Sequence, residues 1–105
     1  MKLLYFSHRY RDPDPSQQWD NLARSWYRFG TIKYARRKSG ERLWAPWIEL
    51  AETDVPEEQA WAVIEAAIAA RHGILLDLDG APESEGMARE REIAERLGKR
   101  VEVVR

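Results

Sequence analysis

Three short apolar runs, Leu3 to Phe6, Leu43 to Ala45 and Ile74 to Leu76, and the valine-rich segment Val101 to Val104 alternate with three longer stretches of helical periodicity. Runs of three or four hydrophobic residues are too short for a buried helix and suit strands, above all strands covered on both faces. Strands and helices alternating this regularly imply the order β-α-β-α-β-α-β. A parallel sheet follows, because each parallel connection needs a crossover long enough to hold a helix.

The stretches between the strands can be read in more detail. Asp12-Pro13-Asp14-Pro15-Ser16 is a loop, since two prolines in three residues exclude regular structure. Ser16 is then the expected cap of a first helix with Trp19, Leu22, Ala23, Trp26 and Phe29 on one face. The favoured reading continues that helix to Lys38, with Gly40 stopping it. The alternative ends it at Gly30 and pairs Thr31 to Arg36 with Glu41 to Ala45 as a hairpin. Trp47 to Pro56 reads as irregular, and Asp54 or Pro56 opens a second helix that buries Ala60, Trp61, Ile64, Ala67 and Ile68. Asp77-Leu78-Asp79-Gly80 leads from the third strand into the loop Ala81-Pro82-Glu83, and the last helix begins near Ser84. The expected fold class is α/β, a small Rossmann-like or flavodoxin-like three-layer sandwich with a mainly parallel four-stranded sheet. Residues 1–105 are expected to form one domain.

The composition excludes several functions. There is no cysteine, so disulfides and thiolate metal sites are out, and two histidines make a zinc centre a poor expectation. No metal or cofactor is expected. No apolar run approaches the roughly 20 residues of a membrane span. Met1 to Phe6 is too short, and too soon followed by charge, to read as a secretory leader, so the cytoplasm is the expected compartment. A net charge of −1 gives no global attraction to nucleic acid.

Against this ordinary background Glu90 stands out. In the helix from Ser84 to Gly98, Met87, Ile93, Ala94 and Leu97 gather on one side at about 100° per residue, and Glu90 falls within that stripe. Arg89, Glu92, Glu95 and Arg96 occupy the other side. A carboxylate on an apolar face is costly unless it is paired, hydrogen-bonded or lining a cavity.

The expected topology supplies such a cavity, because open parallel sheets bind ligands beyond the carboxyl ends of their strands. Ser7, His8, Arg9, Tyr10 and Arg11 leave the first strand at that rim, and guanidinium forks there suit a phosphate or carboxylate. Ser84 and Gly86 at a helix start could serve the same anion, with Met87 and Gly80 beside them. Equally, Ser84 could only cap its helix and the arginines could be solvated. Asp77 and Asp79 could trade protons with Glu90, as paired acids do at an anomeric carbon. They could also merely start the turn at Gly80. Catalytic candidates are therefore Glu90, Asp77 and Asp79.

Five tryptophans exceed what a core of this size needs. Trp19 and Trp26, seven residues apart, suggest a helix-mediated homodimer. Trp44 and Trp47 flank Pro46 at a strand end, where Trp47 could wall a ligand site. The basic series from Arg24 to Arg42 reads as a solvated helix surface rather than a nucleic-acid face, since no binding motif accompanies it. His72 reads as structural.

The segment Ser84-Glu85-Gly86-Met87-Ala88-Arg89-Glu90, with Ala94 and Gly98, resembles the signature of the nucleoside 2-deoxyribosyltransferase-like superfamily. Ser7 to Arg11 is similar to that family's loop after the first strand, Asn21 with Ala23-Arg24 to its first-helix pattern, and Leu43 to Pro46 to its second strand. The resemblance implies that Glu90 attacks C1′ of a (deoxy)ribosyl group. It also implies that Ser84 with Arg9 and Arg11 holds a 5′-hydroxyl or phosphate, and that the chain is a homodimer. The family carries an aspartate late in the helix before the third strand, where only Glu65 stands in for it. An aspartate usual just before that strand is replaced by His72.

Overall fold

A computed structural model describes residues 2–51, 53 and 55–105. The strands β1 (Lys2–Ser7), β2 (Glu41–Trp44), β3 (Gly73–Asp77) and β4 (Arg100–Val104) form one sheet in the order β2-β1-β3-β4, with every pairing parallel. Four helices accompany them: α1 (Pro15–Ala35), α2 (Pro46–Ala51), α3 (Glu57–Ala69) and α4 (Glu85–Arg96). The chain therefore has the expected α/β class, and the sheet is parallel throughout. Strand order reverses at β1, so right-handed crossovers place α1 on one face and α3 and α4 on the other. The gap between the carboxyl ends of β1 and β3 is the topological switch point.

β3 is buried along its whole length, and Leu4, Tyr5 and Phe6 of β1 are fully buried with it. Alternation divides these residues between the two faces. Phe6 meets Phe29 of α1, with ring centroids 5.4 Å apart, whereas Ser7 reaches α4. The β3–β4 contact needs Gly73, because a Cβ there would lie 2.7 Å from the Arg100 carbonyl oxygen. His72 holds the strand start from outside: its Nδ1 accepts from the Leu3 amide at 3.1 Å, a structural role as expected.

The long first helix is observed, ending at Ala35 with turns to Gly40, and no hairpin arm precedes β2. Three details differ from the sequence reading. Asp14 rather than Ser16 caps α1, its side chain accepting from the Ser16 amide at 2.9 Å. Pro15 explains the shift, since it holds the preceding residue extended and fits the first helical position. Residues 46–51 form α2 instead of an irregular stretch, with Pro46 again opening the helix. α3 begins at Glu57 after Pro56, and Asp54, the other expected start, lies outside the described residues.

The largest difference concerns which way α1 faces. It buries Asn21, Leu22, Ser25 and Ile32, while Trp19 is 65% and Trp26 44% exposed. Ser25 is small enough to let the helix sit close to the sheet, donating its hydroxyl to the Leu22 carbonyl at 2.7 Å. Arg28, on the same side, reaches across to Asp77. Among the described residues, no helix is long and apolar enough to cross a membrane.

Candidate active site

Glu90 lies in the second turn of α4, against the end of β1. Ser84 fixes the helix start by accepting the Met87 amide proton at 3.2 Å, and Met87, Ile93 and Ala94 hold the apolar face against the sheet. That docking carries Glu90 inward, where it is 6% exposed. Ser7 donates its hydroxyl to Glu90 Oε1 at 2.9 Å, while Oε2 is buried without a hydrogen-bond partner. Among the described residues no cation forms an ion pair with Glu90; the neighbouring arginines of α4 are engaged elsewhere. Burial raises the Glu90 pKa to about 7, against the lowering influence of the Tyr5 and Ser7 hydroxyls.

Tyr5 is the residue that sequence reasoning missed. Its phenol is fully buried beneath Glu90 and lifted well above its usual pKa, first by burial and then by the carboxylate. The two groups interact electrostatically, yet neither the Tyr5 hydroxyl nor Glu90 Oε2 makes a well-formed hydrogen bond. A tyrosine inside an apolar strand gives no separate signal. Its alternation with Ser7 on one face of β1 was the available clue.

Glu90 borders a cleft of about 800 Å³ between the β1 and β3 loops and α2 to α4. Of the sequence candidates, His8, Tyr10, Arg11, Trp47, Ser84, Gly86 and Met87 line it. Trp61, which sequence reasoning assigned to the core alone, lines it too. Trp47 is pinned by a 2.7 Å hydrogen bond from its indole to the Phe6 carbonyl, and Tyr10 leans on it at 6.1 Å. Arg89 covers the ring of Trp61 at 4.0 Å. Trp44 lies outside the cleft, with the Arg71 guanidinium 4.0 Å from its ring centre. The cleft therefore has aromatic walls and one buried acid at its floor.

Other candidates are placed elsewhere. Asp77 was expected to exchange protons with Glu90. Instead Arg28 holds it in a bidentate pair at 2.9 and 3.0 Å on the α1 face, with the sheet between the two acids. Register explains this, because Ser7 pairs with Leu76 and Asp77 must point the opposite way. Asp79 is gripped by Arg24 at 2.7 and 2.9 Å and contacts His8 Nε2 at 3.1 Å. Arg24 and His8 keep its pKa well below the usual carboxylate range. Asp79 and Gly80 also form the turn, both at positive φ (50° and 75°), so the turn reading of this segment holds as well. Gly80 does not border the cleft; its amide donates to the Arg105 carbonyl. Arg9 was expected as an anion fork, but it turns away to the Leu78 carbonyl at 2.7 Å. Arg24 and Arg28, expected as a solvated face, clamp the end of β3 instead.

No cluster of three or more His, Asp or Glu side chains among the described residues is arranged to hold a metal ion. No family model, curated protein or solved structure matches this chain.

Proposed function

We propose that this chain is an N-glycosidase or deoxyribosyltransferase acting on a (deoxy)nucleoside or nucleoside 5′-monophosphate, with Glu90 as nucleophile. Its cited resemblance to the nucleoside 2-deoxyribosyltransferase-like superfamily supplies the reaction. The observation that carries it is the state of Glu90: buried, without a cationic partner among the described residues, and bordering an aromatic cleft at the switch point.

Ser7 holds Oε1, which leaves Oε2 as the attacking atom. With its pKa near 7, the carboxyl is about half ionised at neutral pH. Ionised Oε2 forms a bond to C1′ as the C1′–N bond breaks, and the base departs with the electron pair and takes a proton from solvent. Water, or a nitrogen of a second base, then attacks C1′ and loses a proton. The Glu90 carboxylate leaves unchanged. Trp47, Trp61 and Tyr10 are suited to hold the departing base by stacking.

A second reading has specific support. Oε2 is covered, so a sugar must uncover it on entry, and arginines bind both aspartates that could have served as a second acid. These facts favour a catalytically weak nucleotide-binding or sequestering module of the same fold. Incubation with a panel of nucleosides and nucleotides, followed by chromatography for free base, separates the two. The enzyme reading requires base release by the wild type and none by Glu90→Gln, with ligand binding retained. Binding without release supports the module.

The proposed setting is cytoplasmic, and the proposed macromolecular partner is a second copy of the chain rather than nucleic acid. Trp19, Trp26, Tyr27 and Tyr34 form an exposed stripe along α1, 44–66% accessible. An antiparallel copy crossing near Trp26 and Tyr27 sets Ala23 against Gly30 and Trp19 against Tyr34, so small residues meet small and aromatics meet aromatics. The four rings offer roughly 500 Å² per copy, or about 1,000 Å² for the pair, the lower bound of a specific interface.

A further inference from the structure

Among the described residues, four carboxylates border the cleft, those of Asp12, Glu57, Glu85 and Glu90, against two guanidiniums, Arg11 and Arg89. Both guanidiniums are already engaged. Arg11 pairs with Glu57 at 3.0 Å, and Arg89 lies on Trp61. Arg9 has turned to the β3 loop, and Arg24 and Arg28 serve Asp79 and Asp77 on the α1 side. His8 borders the cleft, but the Arg9 carbonyl and Asp79 occupy its two ring nitrogens.

The start of α4 favours an anion, but Ser84 Oγ takes up the Met87 amide proton there, and Glu85 places its own carboxylate at the same end. A phosphomonoester carries about −1.5 to −2 charges near neutral pH. Charges within a cleft of this size lie inside the roughly 8 Å screening length of physiological salt. The surroundings would repel such a group. Sugar hydroxyls, by contrast, find acceptors in Asp12 and Glu57.

We infer that the cleft takes an uncharged nucleoside and rejects the corresponding 5′-monophosphate. This rests on the reading of the cleft as a nucleoside site and narrows it to one substrate class. The test pairs deoxyadenosine and thymidine with their 5′-monophosphates, measuring binding by calorimetry and base release by chromatography near neutral pH in physiological salt. The nucleosides are expected to bind at least about tenfold more tightly than the monophosphates. In Glu57→Gln/Glu85→Gln the ratio is expected to shrink.

The outcomes are separable. Nucleosides that bind without releasing base leave this inference standing and sink the glycosidase reading. Monophosphates that bind as well as the nucleosides overturn the inference, whatever their fate, and base release still decides the glycosidase reading. Failure of every nucleoside to bind overturns it too. An unchanged ratio in the double variant overturns its charge basis.

Discussion

Glu90 costs the fold stability at neutral pH. Its folded pKa of about 7 stands above the 4.5 of an ordinary glutamate, so the fold retains a proton that the unfolded chain releases. Stability from this group is therefore fully present below about pH 4.5 and declines as pH rises, until the carboxyl ionises near 7. The shift amounts to about 3 kcal/mol as an order of magnitude. Glu90→Gln keeps the shape and can still accept from Ser7. It is expected to unfold at higher urea than the wild type above pH 7, with the advantage vanishing near pH 4. A variant no more stable at pH 8 contradicts burial of a chargeable acid. If Glu90 is the nucleophile, base release must rise with pH through about 7 as the carboxyl ionises. A rate flat across that range removes Glu90 from the chemistry. The acid itself was legible in the sequence, because helical spacing alone put it on the apolar face. Tyr5 was not, since its hydroxyl matters only once α4 is docked above β1.

The first helix shows where sequence reading stops. Its length could be read from the basic residues Arg36 to Lys38 that suit a helix C-terminus and from Gly40 beyond them, but its orientation could not. Periodicity put Trp19 and Trp26 on one face with Leu22, and the structure turns Ser25 and the partly buried Arg28 to the sheet while both tryptophans stay exposed. What decides this is a partner 49 positions away, Asp77, whose side chain is fully buried. Removing Arg28 strands that charge, so Arg28→Met is expected to cost on the order of 3 kcal/mol. Arg28→Met with Asp77→Leu should recover most of the loss. Arg24 is half exposed and Asp79 keeps His8 and Arg9, so Arg24→Met should cost clearly less than Arg28→Met. Urea unfolding of the three variants tests the order. Equal losses from Arg28→Met and Arg24→Met would show that burial does not distinguish the two pairs.

At the scale of the whole molecule, the strand alternation was enough to place the site. Four strand segments and three crossovers specify a parallel sheet, and its switch point brings together the loops that frame Glu90. The sequence could not specify which rim residues face the cleft. Ser7 and Arg9 leave the same strand end, yet one touches Glu90 and the other the far loop. The exposed aromatic stripe of α1 is a property of this scale too. Light scattering is expected to find a dimer that Trp26→Glu/Tyr27→Lys converts to a folded monomer, with the pH dependence of Glu90 unchanged. A monomeric wild type rules out that partner. The account as a whole depends on a carboxyl group shielded from solvent and left uncompensated beside a cleft. Carbon-detected NMR titration of the glutamate carboxyl resonances, with Glu90→Gln to assign the signal, measures that state directly. A midpoint near 7 for Glu90 is predicted, and a midpoint near 4.5, that of an ordinary solvated glutamate, would contradict it.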